Sequence, residues 1–328
     1  MQPLLFRPML KPKVWGGDRL RHWGKPVAPG AHIGESWEIA DLASTSSDGA
    51  GGDAARSIIA NPPHTGASLH DLIRDHRDAI MGDLKGDSFP LLIKFLDARE
   101  NLSVQVHPSA AYADAHADAH LKFESWFILD AEPGAVIYKG IREGITKAQF
   151  ADHIRDGSVV EDLIAIPARP GDCHHLPSGT VHALGAGVLV AEVQTPSDTT
   201  FRVFDWGRTD RTLHINQALE CAIMSPTDPR DIRRPGDAPT TALGGTAYYD
   251  LIHHRIPARE PRTLSAPSNA PRVWMMLAGS ATIEPTNNAF NPVPIARGAT
   301  ALIPACINAA RINAHENTVL LEAVPKQS

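Results

Sequence analysis

The chain has 328 residues, of which 43% are hydrophobic and 21% charged, with a formal net charge of −6; this is the composition of a globular chain long enough for about two domains. The acidic balance excludes a general nucleic-acid surface, and no apolar run approaches the roughly 20 residues of a membrane span. Three widely separated cysteines, Cys173, Cys221 and Cys306, offer no disulfide framework and fit a reducing, cytoplasmic setting.

In chain order, the opening MQPLLFRPMLKPKVWGG is interrupted by prolines and is expected not to act as a secretory signal. Ser46 to Asp53 reads as a flexible surface loop. Ser68 to Met81 combines a serine start with apolar residues at helical spacing and predicts a helix. The next segment, FPLLIKFLDARENLSVQVHP over 89–108, runs from a buried-strand pattern into Gln105-Val106-His107. Residues two apart on a strand face the same side, so Gln105 and His107 project a carbonyl oxygen and an imidazole together. Lys122-Phe123-Glu124 repeats that spacing ahead of the apolar run Ser125 to Leu129.

Thr146 to Asp156, capped by threonine and stopped at Gly157, predicts a second helix. RPGDCHHLPSGTVHAL over 169–184 ends on His182 after a Pro-Ser-Gly turn. Gln105, His107, Glu124 and His182 form a mixed nitrogen and oxygen donor set that suits Zn2+, with manganese, iron or cobalt as alternatives. The four come from three strands, so the site requires a folded barrel. Leu213 to Met224 is a third helix candidate, and Ser225 to Ala242, rich in Pro, Asp and Arg, reads as a connection between domains. Elsewhere short strand-like segments alternate with Gly and Pro, numbering 25 and 27, which predicts a mainly β sandwich or barrel architecture with few helices.

The two halves carry a weak repeat. PGDCHHLP is echoed by RGATALIP, and Trp126-Phe127-Ile128-Leu129 by Trp274-Met275-Met276-Leu277. Aligned this way, Glu124 falls opposite Arg272 and His182 opposite Ala309, so the second half lacks ligand types at those positions. Residues 1–224 are therefore expected to form a metal-binding domain with helical insertions near 68–81 and 146–156. A linker over 225–242 and a second domain without metal ligands over 243–328 complete the expectation, with one metal ion per chain.

Val14-Trp15-Gly16-Gly17, Gly34-Glu35-Ser36-Trp37-Glu38, the 89–108 segment, KFESWFIL, PSGTVHALGAGVLVAEVQ and SDTTFRVFDWGR together resemble the type I mannose-6-phosphate isomerases, in the short bacterial branch of this cupin family. The resemblance covers nearly the whole chain. It implies two cupin (jelly-roll β-barrel) domains, a zinc ion on Gln105, His107, Glu124 and His182, and an essential arginine at Arg202. Mannose 6-phosphate and fructose 6-phosphate are the implied substrate pair.

Moving a proton between C1 and C2 through a cis-enediol needs an electrophile, a base and a cationic hold on the phosphate. Glu192, ten residues before Arg202 and directly after the strand read over Gly187 to Ala191, is the first choice of base, with Lys122 the runner-up and a carboxylate that merely orients Arg202 the alternative reading. Arg202, Lys122, Ser103 and Lys94 are candidates for sugar and phosphate oxygens; for Lys94 the simpler reading is a lysine reaching out from a strand edge. Asp198 and Asp205 read as supporting or turn residues, Trp15, Trp37 and Trp126 as packing, His174 and His175 as non-ligands, and Cys173 as a buried thiol. A small-molecule sugar phosphate is the expected partner, and a monomer that binds neither nucleic acid nor membrane is expected. A cupin dioxygenase and a catalytically silent sugar-binding or regulatory cupin stay open.

Overall fold

The computed structural model describes every residue except 47–50, 117–118, 226–227, 229–230 and 328. Its organisation follows from strand parity. In Val104–Val106 the two valines pack outward beneath the helices Lys147–Asp156 and Ile215–Cys221, against Phe150, Ile154 and Ala218, so Gln105 must turn inward. The same alternation along Leu92–Ala98, Glu124–Ala131 and Val188–Gln194 sends Phe95, Phe127, Ala191 and Val193 outward. Lys94, Trp126 and Glu192 then face the interior.

Four main sheets result, in two pairs. The first pair opposes a seven-stranded sheet, ordered Ile232–Arg233, Cys173–Leu176, Glu124–Ala131, Val188–Gln194, Leu92–Ala98, Met9–Gly17 and Ile33–Ile39, to a five-stranded sheet. The latter runs Leu163–Pro167, Val136–Ile141, His182–Leu184, Val104–Val106 and Phe201–Phe204. In the second pair, Thr300–Ile303, Arg272–Ala278, Thr318–Pro325 and Tyr249–Ile256 occupy the same order as the four strands that start at Cys173–Leu176. Val293–Ala296, Ser280–Pro285, Ala309–Ala314 and Arg262–Ser265 likewise follow the order of the five-stranded sheet. The mainly β class expected from the sequence is the one observed, with four α-helices among the described residues. Leu4–Leu5 pairs with Thr300–Ile303, and Ile232–Arg233, within the expected linker, pairs with Cys173–Leu176. Both therefore lie across the expected boundaries.

Outward residues of the seven-stranded sheet meet Val273, Met275, Leu321 and Ala323 on Arg272–Ala278 and Thr318–Pro325, together with Leu72, Ile73 and Ile80 of the helix Leu69–Met81. Each such side chain contributes roughly 1.5–3 kcal/mol on full burial, so this shared core outweighs any single polar contact between the sheet pairs.

Helix starts follow their caps. Ser68 Oγ accepts the Asp71 amide at 3.0 Å, and Thr146 with Gln149 forms a reciprocal capping box before Lys147–Asp156, which ends at left-handed Gly157. The third helix is shorter than the expected 213–224, because both flanks are tied down. The His214 amide bonds Arg202 O at 2.8 Å and the Ile223 amide bonds Gly179 O at 2.8 Å. A short helix over Ala110–Ala115, capped by Ser109, was not anticipated. Part of the Ser46 to Asp53 loop lies outside the described residues.

Candidate active site

Directly opposed residues on antiparallel strands point to the same side, and two such rows face each other across the first pair of sheets. On the five-stranded sheet, Arg202, Gln105, His182 and Lys139 stand in register. On the seven-stranded sheet the row is Trp37, Lys94, Glu192, Trp126 and His174. Glu124, two residues before Trp126, lies opposite Gln194. Arg202, Glu192, Lys94 and the expected ligands, scattered over about a hundred residues, are thus drawn into one interior.

His107, Glu124 and His182 bring ligand atoms within 4.8 Å of one another, and all three are buried. His182 Nε2 is 2.9 Å from Glu124 Oε1, and His107 Nε2 is 3.3 Å from Oε2. Gln105 joins them with its amide nitrogen 3.2 Å from His182 Nε2; a half-turn of that amide presents its oxygen instead.

The histidine tautomers follow from their outer partners. His107 Nδ1 faces Thr199 O at 3.1 Å and His182 Nδ1 faces Thr180 O at 2.8 Å. A carbonyl only accepts, so both Nδ1 atoms carry hydrogen, which leaves the two Nε2 lone pairs aimed at the centre. Burial, joined by the Lys122 charge, holds His107 down at about 3, so its ring is neutral. Glu124 is held well below the usual carboxylate range: burial opposes ionisation, but the Lys122 ammonium beside it outweighs burial. Neither its two oxygens nor His107 Nε2 makes an aligned hydrogen bond. Buried polar atoms left in this way are costly in an apolar interior. Neutral imidazoles, a carboxylate and an amide oxygen fit a borderline divalent cation such as zinc.

Beside the cluster, Lys122 Nζ is 2.9 Å from Glu124 Oε2. Glu192 Oε1 accepts the Trp126 indole N–H at 3.1 Å, while Oε2 makes no hydrogen bond and lies 3.3 Å from Lys94 Nζ. Burial pushes Glu192 up to about 7 against the pull of Lys94, and Glu124 adds to the rise. Lys94 is not a strand-edge lysine: it is 5% exposed, stands between Glu192 and Glu35 and lies 5.0 Å from the centre of the Trp37 ring. Arg202 Nη1 donates to Thr212 O at 2.6 Å, and its backbone N–H donates to His214 Nδ1 at 3.3 Å.

A cavity of about 270 Å³ opens over these groups. Ser103, Gln105, Lys94, Lys122, Glu192 and Arg202 line it, as do Lys13, Glu35, Tyr112, Arg211, His214 and Gln217. The latter six have no candidate role from the sequence. Glu35 and Trp37 were recoverable, since they alternate on one strand, whereas Ser36 and Glu38 point the other way, where Glu38 accepts from both Ser36 and Lys25. Trp15, Trp37 and Trp126 are almost fully buried, as packing residues should be, yet they also form cavity wall. Asp198 accepts the Ser46 amide at 2.8 Å, and Asp205 pairs with Arg208 and Arg211.

His174 and His175 stand outside the cluster. The His174 nitrogens are buried without hydrogen bonds, and His175 bonds Ser125 and Leu243 O. Cys173 is buried, which pushes its thiol up to about 12.

In the second pair of sheets Ala309 faces Ser265 where His182 faces Gln105. Trp274 donates to Glu322 at 2.8 Å where Trp126 donates to Glu192. Arg272 stands at the position of Glu124; its buried guanidinium donates to Leu264 O and Ile307 O and lies 3.5 Å from Glu322. That interior carries a built-in cation.

A family model described as the catalytic domain of type I phosphomannose isomerase matches residues 4–127. Mannose-6-phosphate isomerase ManA of Bacillus subtilis (strain 168) is 36% identical over 260 residues, 76% of this chain and 78% of that protein. A mannose-6-phosphate isomerase of Streptococcus mutans is 38% identical over 224 residues, 67% of each. A solved mannose 6-phosphate isomerase from Bacillus subtilis, 28% identical, has a TM-score of 0.85 and covers 98% of this chain and 99% of its own. A mannose 6-phosphate isomerase structure described as zinc bound, 16% identical with a TM-score of 0.75, covers 99% of this chain and 100% of its own and shares the fold.

Proposed function

The chain belongs to the type I phosphomannose isomerases, and we propose that it interconverts mannose 6-phosphate and fructose 6-phosphate through a cis-enediol, with one zinc ion held by Gln105, His107, Glu124 and His182. The observation that carries this reading is the convergence of two Nε2 lone pairs, fixed by backbone carbonyls at Thr199 and Thr180, on a buried carboxylate. Bound there, zinc supplies Lewis-acid stabilisation of the negative charge that develops on the sugar oxygen. The other steps fall to the chain's own side chains. Glu192 takes the proton from one carbon and returns it to the other, its Oε1 oriented by the Trp126 indole and its Oε2 without a hydrogen bond. Lys122 is the weaker choice of base, because its ammonium is engaged by Glu124 at 2.9 Å and a base must first release that proton. Arg202, Lys122, Lys94 and Ser103 hold phosphate and sugar oxygens. Lys94 also keeps Glu192 in place. Tryptophan walls exclude water, which strengthens each of these contacts.

We further propose that the sheet pair without these ligands forms a second cupin-like domain with no metal of its own. The enzyme is read as a cytoplasmic monomer whose partner is the sugar phosphate alone. Among the described residues no helix is long and apolar enough to cross a membrane, and all three cysteines are free.

The test is conversion of mannose 6-phosphate in deuterated water, followed by NMR. Deuterium at C1 of the fructose 6-phosphate formed supports proton transfer through an enediol. Turnover with no deuterium in product or recovered substrate assigns transfer from C2 to C1 without solvent exchange, and absence of turnover in zinc-loaded, folded protein contradicts the substrate.

A further inference from the structure

Parity divides residues 122–126 into two sets. Lys122, Glu124 and Trp126 face the interior of the first pair of sheets, whereas Phe123 and Ser125 face the second pair. Ser125 is in register with Val193, the residue between Glu192 and Gln194. Tyr249, fully buried at the head of Tyr249–Ile256, reaches this point from the other sheet pair. Its hydroxyl donates to Val193 O at 2.8 Å and lies 2.9 Å from Ser125 Oγ. His175 Nε2 faces Leu243 O at 2.9 Å and therefore carries hydrogen, so its Nδ1 accepts from Ser125 Oγ at 2.7 Å. The proton of Ser125 is thus committed to His175, and the Tyr249 proton is shared between Ser125 Oγ and Val193 O. The Phe123 ring packs edge-on to Tyr249 at 6.1 Å and lies 5.8 Å from Tyr248.

We propose that Tyr249, carried by the sheet pair that holds none of the candidate ligands, is a positioning residue for the isomerisation: its hydroxyl locks the Glu124 and Glu192 strands to each other from behind. The metal-free half then has a part in the chemistry, because a shift of Ser125 against Val193 moves the ligand Glu124 and the base Glu192 relative to each other. This inference rests on the metal-centre reading above. Loss of a partner bonded directly to a ligand typically costs about 10–100-fold in metal affinity or activity, and Tyr249, one residue removed from Glu124 and Glu192, belongs at the low end of that range.

The test is Tyr249→Phe, which keeps the ring and removes both hydrogen bonds, studied as zinc-loaded enzyme. We expect kcat to fall by about tenfold or more with KM little changed, and zinc affinity, measured by chelator competition, to weaken in parallel. Ile283→Val, in the interior of the second sheet pair, is the control, expected to lower thermal stability without moving kcat or zinc affinity. Wild-type kcat and zinc affinity in Tyr249→Phe, or losses no greater than in an equally destabilised Ile283→Val, overturn the inference. Should Tyr249→Phe not fold, Ser125→Ala removes the other end of the contact, and wild-type kcat and zinc affinity in that variant overturn it equally. Wild-type protein that binds no zinc overturns the metal-centre reading itself, and this inference with it.

Discussion

His107 and His182 each commit one ring nitrogen to a backbone carbonyl, which frees both Nε2 lone pairs for the metal that our reading places there. His182→Ala removes one of the converging lone pairs. Metal content by atomic absorption and turnover should fall together, and stoichiometric zinc with normal turnover would refute the ligand set. Arg202 stands in register with Gln105 and contacts substrate on our reading. Arg202→Ala should therefore retain zinc while kcat drops by about 10²–10³, as when one transition-state donor is removed; a rise in KM alone would reassign it to phosphate anchoring. That Gln105 with His107, and Lys122 with Glu124, share one face was legible because two-residue spacing on short strands carries orientation in the sequence itself, whereas His182 was marked only by the Pro-Ser-Gly turn before it. Tyr112, His214 and Gln217 did not stand out, since they reach the cavity from two short helices, Ala110–Ala115 and Ile215–Cys221 with its N-cap, that have no local chemical signature.

At the scale of elements, the pairing of Met9–Gly17 with Ile33–Ile39 forms the wall that carries Trp15, Glu35 and Trp37. Its closeness depends on glycine. A Cβ on Gly16 would lie 2.4 Å from Gly34 N and 2.6 Å from Ile33 C, both backbone atoms that move only with the strand. Gly16→Ala should cost about 1–3 kcal/mol of stability, the usual penalty of overpacking, and should raise KM by displacing the tryptophan wall. Denaturant midpoints and steady-state kinetics check both, and an unchanged KM would detach this wall from substrate binding. The helices over 69–81 and 147–156 were readable from their caps and periodicity. The third was overextended, because the ties of His214 to Arg202 and of Ile223 to Gly179 are long-range bonds that leave no mark in local pattern.

On the scale of the whole molecule, the repeated strand order has diverged in what fills each interior. One holds buried His107 and Glu124 atoms without hydrogen bonds; the other holds Arg272 against Glu322, which Trp274 and His254 also bond. The repeat and the loss of ligand types were visible in the sequence, but the replacement of a site by a guanidinium was not, because Glu322 and His254 lie far from Arg272 in the chain. Glu322 is held below the usual carboxylate range: burial pushes it up, but hydrogen bonds from His254 and Trp274 and the charge of Arg272 win. A depressed carboxylate stabilises the fold above its unfolded pKa, and the contribution fades as pH falls through the folded value. Glu322→Gln should cost about 3 kcal/mol or more near neutral pH by leaving Arg272 uncompensated, and should flatten the loss of stability on the acid side. Urea unfolding of metal-stripped protein between neutral and acid pH checks it, and parallel stability profiles for the two proteins would contradict it.

The most direct test of the central claim is a zinc titration of chelator-stripped protein, with bound metal and mannose 6-phosphate turnover followed in the same samples. The account predicts that activity is lost with the metal and returns linearly, reaching its plateau at one zinc per chain. Full activity in the stripped protein, or a plateau only at two zinc per chain, would contradict it.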